Sequence, residues 1–370
     1  MDRRTFLKGA VALPAVWRMT QGATARAEAK PFTPTPGHWR TFEITTRVEV
    51  REARGVTRVW LPIPAVSAEY QSPAGDEWSG NAKLMTPLGD GAHGARMLYA
   101  EFPDGERAPA VELRSRVRTQ DRALDWSQKH AVRMDAADRA RWTKPTALLP
   151  TDGIVRTTAR EITAGKRSDV EKVKAIYDWV LANAYRETTV RGCGVGDIQA
   201  MLATRNLGGK CADINALFVG LVRSSGVPAR DVYGIRVAPS AFGYKALGAG
   251  SATITKAQHC RAEVFLEDHG WVAMDPADVT KVAREETAEW LTVDDPLVAA
   301  VRPRLFGGWE GNWIAFNSAH DVALPHATEG GPLGFLMYPQ SETAQGQRDS
   351  LDPETFTYTI TAREIPPPAA

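Results

Sequence analysis

The sequence predicts an α+β protein: an N-terminal antiparallel β domain, then a core in which helices pack on a second antiparallel sheet. Three observations carry this. Over residues 42–50, Phe42, Ile44, Thr46, Val48 and Val50 alternate with charged or hydroxyl side chains, the period of a half-buried strand. Between 168 and 222, apolar residues recur at i, i+3, i+4 and i+7, one face of a helix. After 257 the period returns to two and is interrupted by Asp268-His269-Gly270, the turn of a hairpin.

Residues 1–27 have the three-part layout of an export signal: Arg3-Arg4 with Phe6-Leu7-Lys8, a short apolar run at 10–17, and Ala23, Ala25 and Ala27. The paired arginines resemble the twin-arginine address, which predicts a protein of the bacterial periplasm or envelope. The run is too short to cross a bilayer, so an integral membrane protein is not expected. Of the formal charge of +1, the leader contributes a surplus, and without it the chain would sit near −3. That balance calls for neither nucleic acid nor an acidic membrane as partner.

At 370 residues and 43% hydrophobic composition there is room for two domains, each with its own core. The β domain is expected over 36–119, with strands at 42–50, 56–61 (stopped by Pro62), 95–102 and 111–118, and with the glycine-rich 75–94 as loop. It carries no recognisable chemistry. Residues 120–150 read as a helical and linker segment. The core, 151–290, begins with a helix over 151–165 capped by Thr151. A second helix is opened by the capping box Ser168-Asp169-Val170-Glu171 and buries Val173, Ile176, Tyr177, Val180 and Leu181. A loop at 186–196 holds Cys193, and 197–204 is a short helix. Gly208-Gly209-Lys210 then leads into a helix with Ile214, Leu217, Phe218, Leu221 and Val222 on one face, stopped by Gly226 and Pro228. A β segment at 231–237 precedes a Gly, Ala and Ser-rich stretch, 238–256, that reads as a mobile loop. Residues 291–370 form an extension with an aromatic run at 306–316, a closing strand at 355–364 that returns to the N-terminal sheet, and a Pro-rich tail.

The candidate chemistry centres on Cys211. In the first turn of a helix, unpaired N–H groups and the positive end of the dipole favour thiolate over thiol. A thiol nucleophile needs a base and a group that orients the base. His259, on the strand that begins near 258, and Asp275, at the end of the next strand, supply those types. Parity tests the grouping, because successive strand residues face opposite ways. A loop of three or five residues brings Asp275 to the His259 side, and a three-residue loop requires Gly270 in the left-handed conformation. In an exported protein Cys193 and Cys260 could be joined as a disulfide, or Cys193 joined to Cys211, although Cys260 falls on an inward strand face and reads as a buried hydrophobe. No Cys-x-x-Cys and no histidine pair stands at ligand spacing, so neither a metal nor any cofactor is expected. Trp309 and Trp313 could line a peptide groove or pack across the cleft between domains; packing is preferred because tryptophan is mostly buried. His320 and His326 read as ordinary surface residues.

Gly209-Lys210-Cys211-Ala212-Asp213, Gly226-Val227-Pro228-Ala229-Arg230, His259 to Leu266 with Glu263-Val264-Phe265, and Gly270-Trp271-Val272 with Asp275-Pro276 resemble, in order and spacing, the core motifs of the transglutaminase-like superfamily. The resemblance implies a papain-like core with Cys211 as nucleophile, His259 as base and then acid, and Asp275 as orienting carboxylate. It implies a cysteine peptidase or amidase acting on a peptide or protein amide, with cell-wall peptide as one candidate. An amine-transferring, cross-linking enzyme and a non-catalytic peptide-binding module are the alternatives. Hydrolysis is preferred because no calcium-loop pattern accompanies the core. One residue departs from the family: Arg261 stands where an aromatic residue is usual. It reads either as a cation facing an acidic substrate or as a structural partner of Glu263 or Asp275.

Overall fold

The computed structural model describes residues 30–366 apart from 92–93 and 353–355, and the leader expected at 1–27 lies outside the described residues. Two antiparallel sheets make the β part. One has the strand order Thr357–Ile365, Arg40–Glu49, Ala110–Thr119, Gln71–Gly80; the other runs Gly346–Arg348, Gln340–Thr343, Thr57–Ile63, Arg96–Phe102, Leu84–Gly89. Val48, Val111 and Leu113 of the first sheet meet Val59, Leu61 and Phe102 of the second in a common core. Alternation therefore places its apolar residues as the period demands.

Two expectations are corrected here. Residues 75–94 are not all loop, because Gln71–Gly80 and Leu84–Gly89 are strands. Both lie at sheet edges, Gln71–Gly80 mostly exposed and Leu84–Gly89 half-buried, so they need no apolar alternation to be strands. The strand at 57 also continues through Pro62 to Ile63. Its pairing with Gln340–Thr343 reaches only as far as Trp60, so Pro62 lies where one flank has no partner strand and its missing N–H costs no ladder bond.

The second sheet, ordered Gly270–Met274, Gln258–Leu266, Ala229–Arg236, Trp313–Asn317, is antiparallel throughout. Against it packs Cys211–Ser224, a helix buried over nearly its whole length, flanked by Gly153–Ile162, Asp169–Asn183, Ile198–Thr204 and Pro276–Glu285. The helix at 169 forms both halves of the Ser168/Glu171 capping box and buries the five residues its periodicity selects. Each such cap contributes about 1 kcal/mol. The helix at 153 starts after Asp152 rather than Thr151.

Residues 291–370 are not set apart as an extension. They give Trp313–Asn317 to the core sheet and strands to both sheets of the β part, and Thr357–Ile365 pairs along Arg40–Glu49 from Thr41↔Ile365 to Glu49↔Thr357. The stretch 238–256 is packed rather than free in solvent: Tyr244, Leu247 and Ile254 are buried, and the Ile254 N–H donates to Ile360 O at 2.8 Å. Among the described residues no helix is long and apolar enough to cross a membrane.

Candidate active site

Cys211 opens its helix on a framework built by Asp213. The Asp213 carboxylate accepts the Lys210 N–H at 2.9 Å on one oxygen and the Val195 and Gly196 N–H groups, each at 2.9 Å, on the other. One side chain thus caps the helix and ties the 192–196 loop to it. The loop comes close enough that Gly194, at φ +92°, has no room for a Cβ beside the Asp213 carboxylate. Cys193 O in turn accepts the Ala212 N–H at 2.9 Å.

The hairpin that carries the other two candidates turns through three residues, 267–269, between Leu266 and Gly270, and Gly270 sits at φ +72°. Parity then puts Asp275 on the His259 side. His259 Nε2 lies 2.8 Å from Asp275 Oδ2 and 3.3 Å from Asp278 Oδ1. Asp275 also caps the helix Pro276–Glu285, its Oδ1 accepting the Asp278 N–H at 3.0 Å. Cys211, Cys193 and His259 together line a cavity of about 600 Å³ between the core and the C-terminal segment that bears Tyr338, Leu351 and Tyr358.

Burial pushes the Cys211 thiol up, but the thiols of Cys193 and Cys260 and the His259 ring beside it hold it well below an ordinary cysteine. Burial and Arg236 push the His259 imidazolium down; Asp278 and Asp275 outweigh them and hold it above its usual value. These opposite shifts favour a thiolate facing an imidazolium. Burial and neighbouring Asp278 raise the Asp275 carboxyl, against the pull of His259 and Arg261. Asp278 itself stays well below the usual carboxylate range because Arg236, His259 and Arg261 overcome its burial.

Asn215, Asp278, Arg236 and Arg122 escape a reading of the sequence. Asn215, one helical turn beyond Cys211, donates to Cys260 O at 2.8 Å and to Asp275 Oδ1 at 3.4 Å, and accepts the Ala277 N–H at 3.3 Å. A polar residue at i+4 from Cys211, among the apolar residues of 214–222, was the available signal. Asp278 sits one turn past Asp275, and its buried partner Arg236 bonds both its carboxylate and Leu247 O. Glu263 is clamped between Arg122 at 2.5 Å and Arg230 at 2.6 Å, linking the strand that bears His259 to the segment after the β domain. Arg122 carries no signal in the sequence, since its partner lies 141 residues away.

Arg261, Trp309 and Trp313, considered above for substrate-facing roles, are buried in the core. Each is about 1% exposed, and none lines the cavity. Arg261 is held over the Trp313 and Trp309 rings at 4.7 and 5.0 Å, donates to Glu310 O at 3.1 Å, and lies 3.4 Å from Asp275 Oδ2. Burial lowers its pKa to about 10. Trp313 donates its indole N–H to His259 O at 2.9 Å, so the aromatic run fixes the base's strand. His320 is likewise no surface residue: it is buried, 3.2 Å from Asp231. His326 is exposed. Cys193, Cys211 and Cys260 are all buried free thiols, and Cys260 lies 3.9 Å from Met337 Sδ. His259, Asp275 and Asp278 bring ligand atoms within 4.8 Å of one another. Arg236 and Arg261 already supply positive charge to those carboxylates, so the set does not fit a metal ion.

The helix start that bears Cys211 and the hairpin that bears His259 and leads to Asp275 meet at one site of an α+β fold in which helices pack on an antiparallel sheet. The chain belongs to the transglutaminase-like superfamily, whose domain model matches residues 156–276. A Haemophilus influenzae protein of uncharacterised function is 32% identical over 360 residues, covering 93% of this chain and 96% of that protein. Bacillus subtilis YebA, also uncharacterised, is 25% identical over 243 residues, which is 63% of this chain but 30% of YebA. A solved structure from Cytophaga hutchinsonii, provisionally described as a cysteine protease, superposes with a TM-score of 0.49 at 13% identity, covering 88% of this chain and 99% of its own.

Proposed function

We propose that the chain is an exported thiol acyl-transfer enzyme that hydrolyses a peptide amide bond. The observation that carries this reading is the contact of 2.8 Å between His259 and Asp275 at the wall of the cavity that also receives Cys211. In the proposed reaction the Cys211 thiolate attacks the amide carbonyl carbon, and the carbonyl π electrons move to oxygen. The Cys211 N–H, at the start of its helix, stabilises that oxyanion, as helix-terminal donors do. The His259 imidazolium gives its proton to the leaving amine as the C–N bond breaks. Neutral His259 then removes a proton from water, which attacks the thioester and releases the acid and the thiolate. Asp275 keeps the imidazole oriented throughout, and Asn215 keeps Asp275 in place.

A substrate screen with wild type and Cys211→Ala, each with and without an amine acceptor, tests the reading. Product acid from wild type alone, unchanged in yield by added amine, is the expected result. An amide product whose yield rises with amine would replace hydrolysis by amine transfer, and activity retained in Cys211→Ala would remove the nucleophile. Export rests on the leader: replacing Arg3 and Arg4 by lysine should leave the protein in the cytoplasmic fraction.

A further inference from the structure

Six basic side chains line the Cys211 cavity, Arg186, Arg191, Lys210, Arg236, Lys256 and Lys281, and no aspartate or glutamate does. The acids that answer them stand outside the lining. Glu285 serves both Arg186 at 2.8 Å and Lys281 at 3.9 Å, Asp278 serves Arg236, and Asp349 serves Arg191 at 2.5 Å. The charge of Lys210 also acts on the Glu187 carboxyl, and Asp352 adds its charge beside Asp349 at Arg191. The lining itself is nonetheless uniformly basic, at one cavity of a chain whose charge is otherwise near balance. Clefts of one sign with low-dielectric walls concentrate ligands of the other sign. Crowding is visible at Lys281, whose pKa is pushed down to about 8 by burial and by Arg236. An anion in the cavity would relieve that repulsion.

The lining also carries apolar and aromatic side chains, Leu351, Tyr338 and Tyr358. A volume of about 600 Å³ suits a few residues of peptide rather than a nucleic-acid groove. We infer that this cleft selects an acidic peptide, one whose carboxylate side chains flank the amide presented to Cys211. The inference rests on the acyl-transfer reading for the bond that is cut, but the charge of the ligand can be tested apart from turnover.

The test compares alkylation of Cys211 by iodoacetate, an anion, with alkylation by neutral iodoacetamide, followed by peptide mass spectrometry, with glutathione as the reference thiol. We expect the iodoacetate-to-iodoacetamide rate ratio at Cys211 to exceed that of glutathione about tenfold at low salt, and to fall toward it in 0.5 M NaCl as screening sets in. Lys256→Glu, at an exposed position, should lower the ratio severalfold while leaving the iodoacetamide rate in place. A ratio equal to that of glutathione, or one indifferent to salt and to Lys256→Glu, would overturn the inference. Slow iodoacetamide labelling at pH 5 would count against the activated thiol instead, without touching the charge result. In a second arm, fluorescent hexaglutamate, hexaglutamine and hexalysine are titrated into Cys211→Ala by anisotropy. Preference for hexaglutamate supports the acidic peptide, and equal binding of all three, or displacement of hexaglutamate by millimolar inorganic phosphate, overturns it.

Discussion

Replacing Asp278 by asparagine tests how the site holds its charges. The carboxylate stands 3.3 Å from His259 Nε2 and raises that imidazole, while Arg236 lowers it. At this distance and an effective dielectric constant near 20, the bare attraction is about 5 kcal/mol, and Arg236 offsets much of it. We therefore expect the His259 pKa to fall by at least about one unit in Asp278→Asn, equivalent to ~1.4 kcal/mol. The sign follows from the raised folded value: removing an acid that favours the imidazolium moves its titration to lower pH. Because His259 helps hold Cys211 as thiolate, the pH window in which a thiolate faces an imidazolium should narrow from its alkaline end by a similar amount. Histidine labelled at Cε1 and followed by NMR, with His259→Gln to assign the resonance, gives the first quantity directly. Asp278→Asn also leaves Arg236, 2% exposed, without its carboxylate, at a cost of about 3–5 kcal/mol. Arg236→Met combined with Asp278→Asn removes both charges and preserves a folded reference, in which a smaller fall is expected. A His259 titration that stays put or rises in both variants would refute the account.

Asn215→Ala strands Cys260 O and the Ala277 N–H in a dry site, so a loss of about 2–4 kcal/mol in urea unfolding is expected, together with slower Cys211 alkylation. Gly194→Ala meets both a positive φ and the Asp213 carboxylate, and should destabilise the Cys193 loop by more than about 1 kcal/mol, read as increased backbone hydrogen exchange at 192–196. Burial raises the Glu263 carboxyl, but Arg230 and Arg122 outweigh it and hold the folded pKa below the unfolded one. Its stabilising effect is then complete above the unfolded value near pH 4.5 and is lost as pH falls through the folded value. The stability gap between wild type and Glu263→Gln should accordingly be widest near neutral pH and narrow in acid, as measured by denaturant midpoints across pH.

What the sequence disclosed about this fold is what local physics dictates. The helices at 169 and 211, the strand at 40 and the three-residue hairpin loop follow from periodicity, a capping box and the demand for a glycine at 270. Edge strands at 71–80 and 84–89 escape that logic, because pairing on one flank and exposed faces leave no apolar pattern to find. The site divides in the same way. Cys211, His259 and Asp275 are placed by motif and parity, whereas Asp278, Arg236, Asn215 and the Arg122 contact depend on where distant segments meet. Arg261 misleads for the opposite reason: a cation in a motif looks functional until two indole rings close over it.

The strand Thr357–Ile365 lies along Arg40–Glu49, and the wall of the Cys211 cavity includes Tyr338, Leu351 and Tyr358. During synthesis, therefore, Cys211 and His259 leave the ribosome well before the segment that completes the wall of their cavity. Pairing of segments so far apart in the chain comes late and slowly in folding. An unfinished or C-terminally nicked chain carries Cys211 and His259 without a complete cleft, so under the proposed reading any action on a peptide waits until the last strand is home.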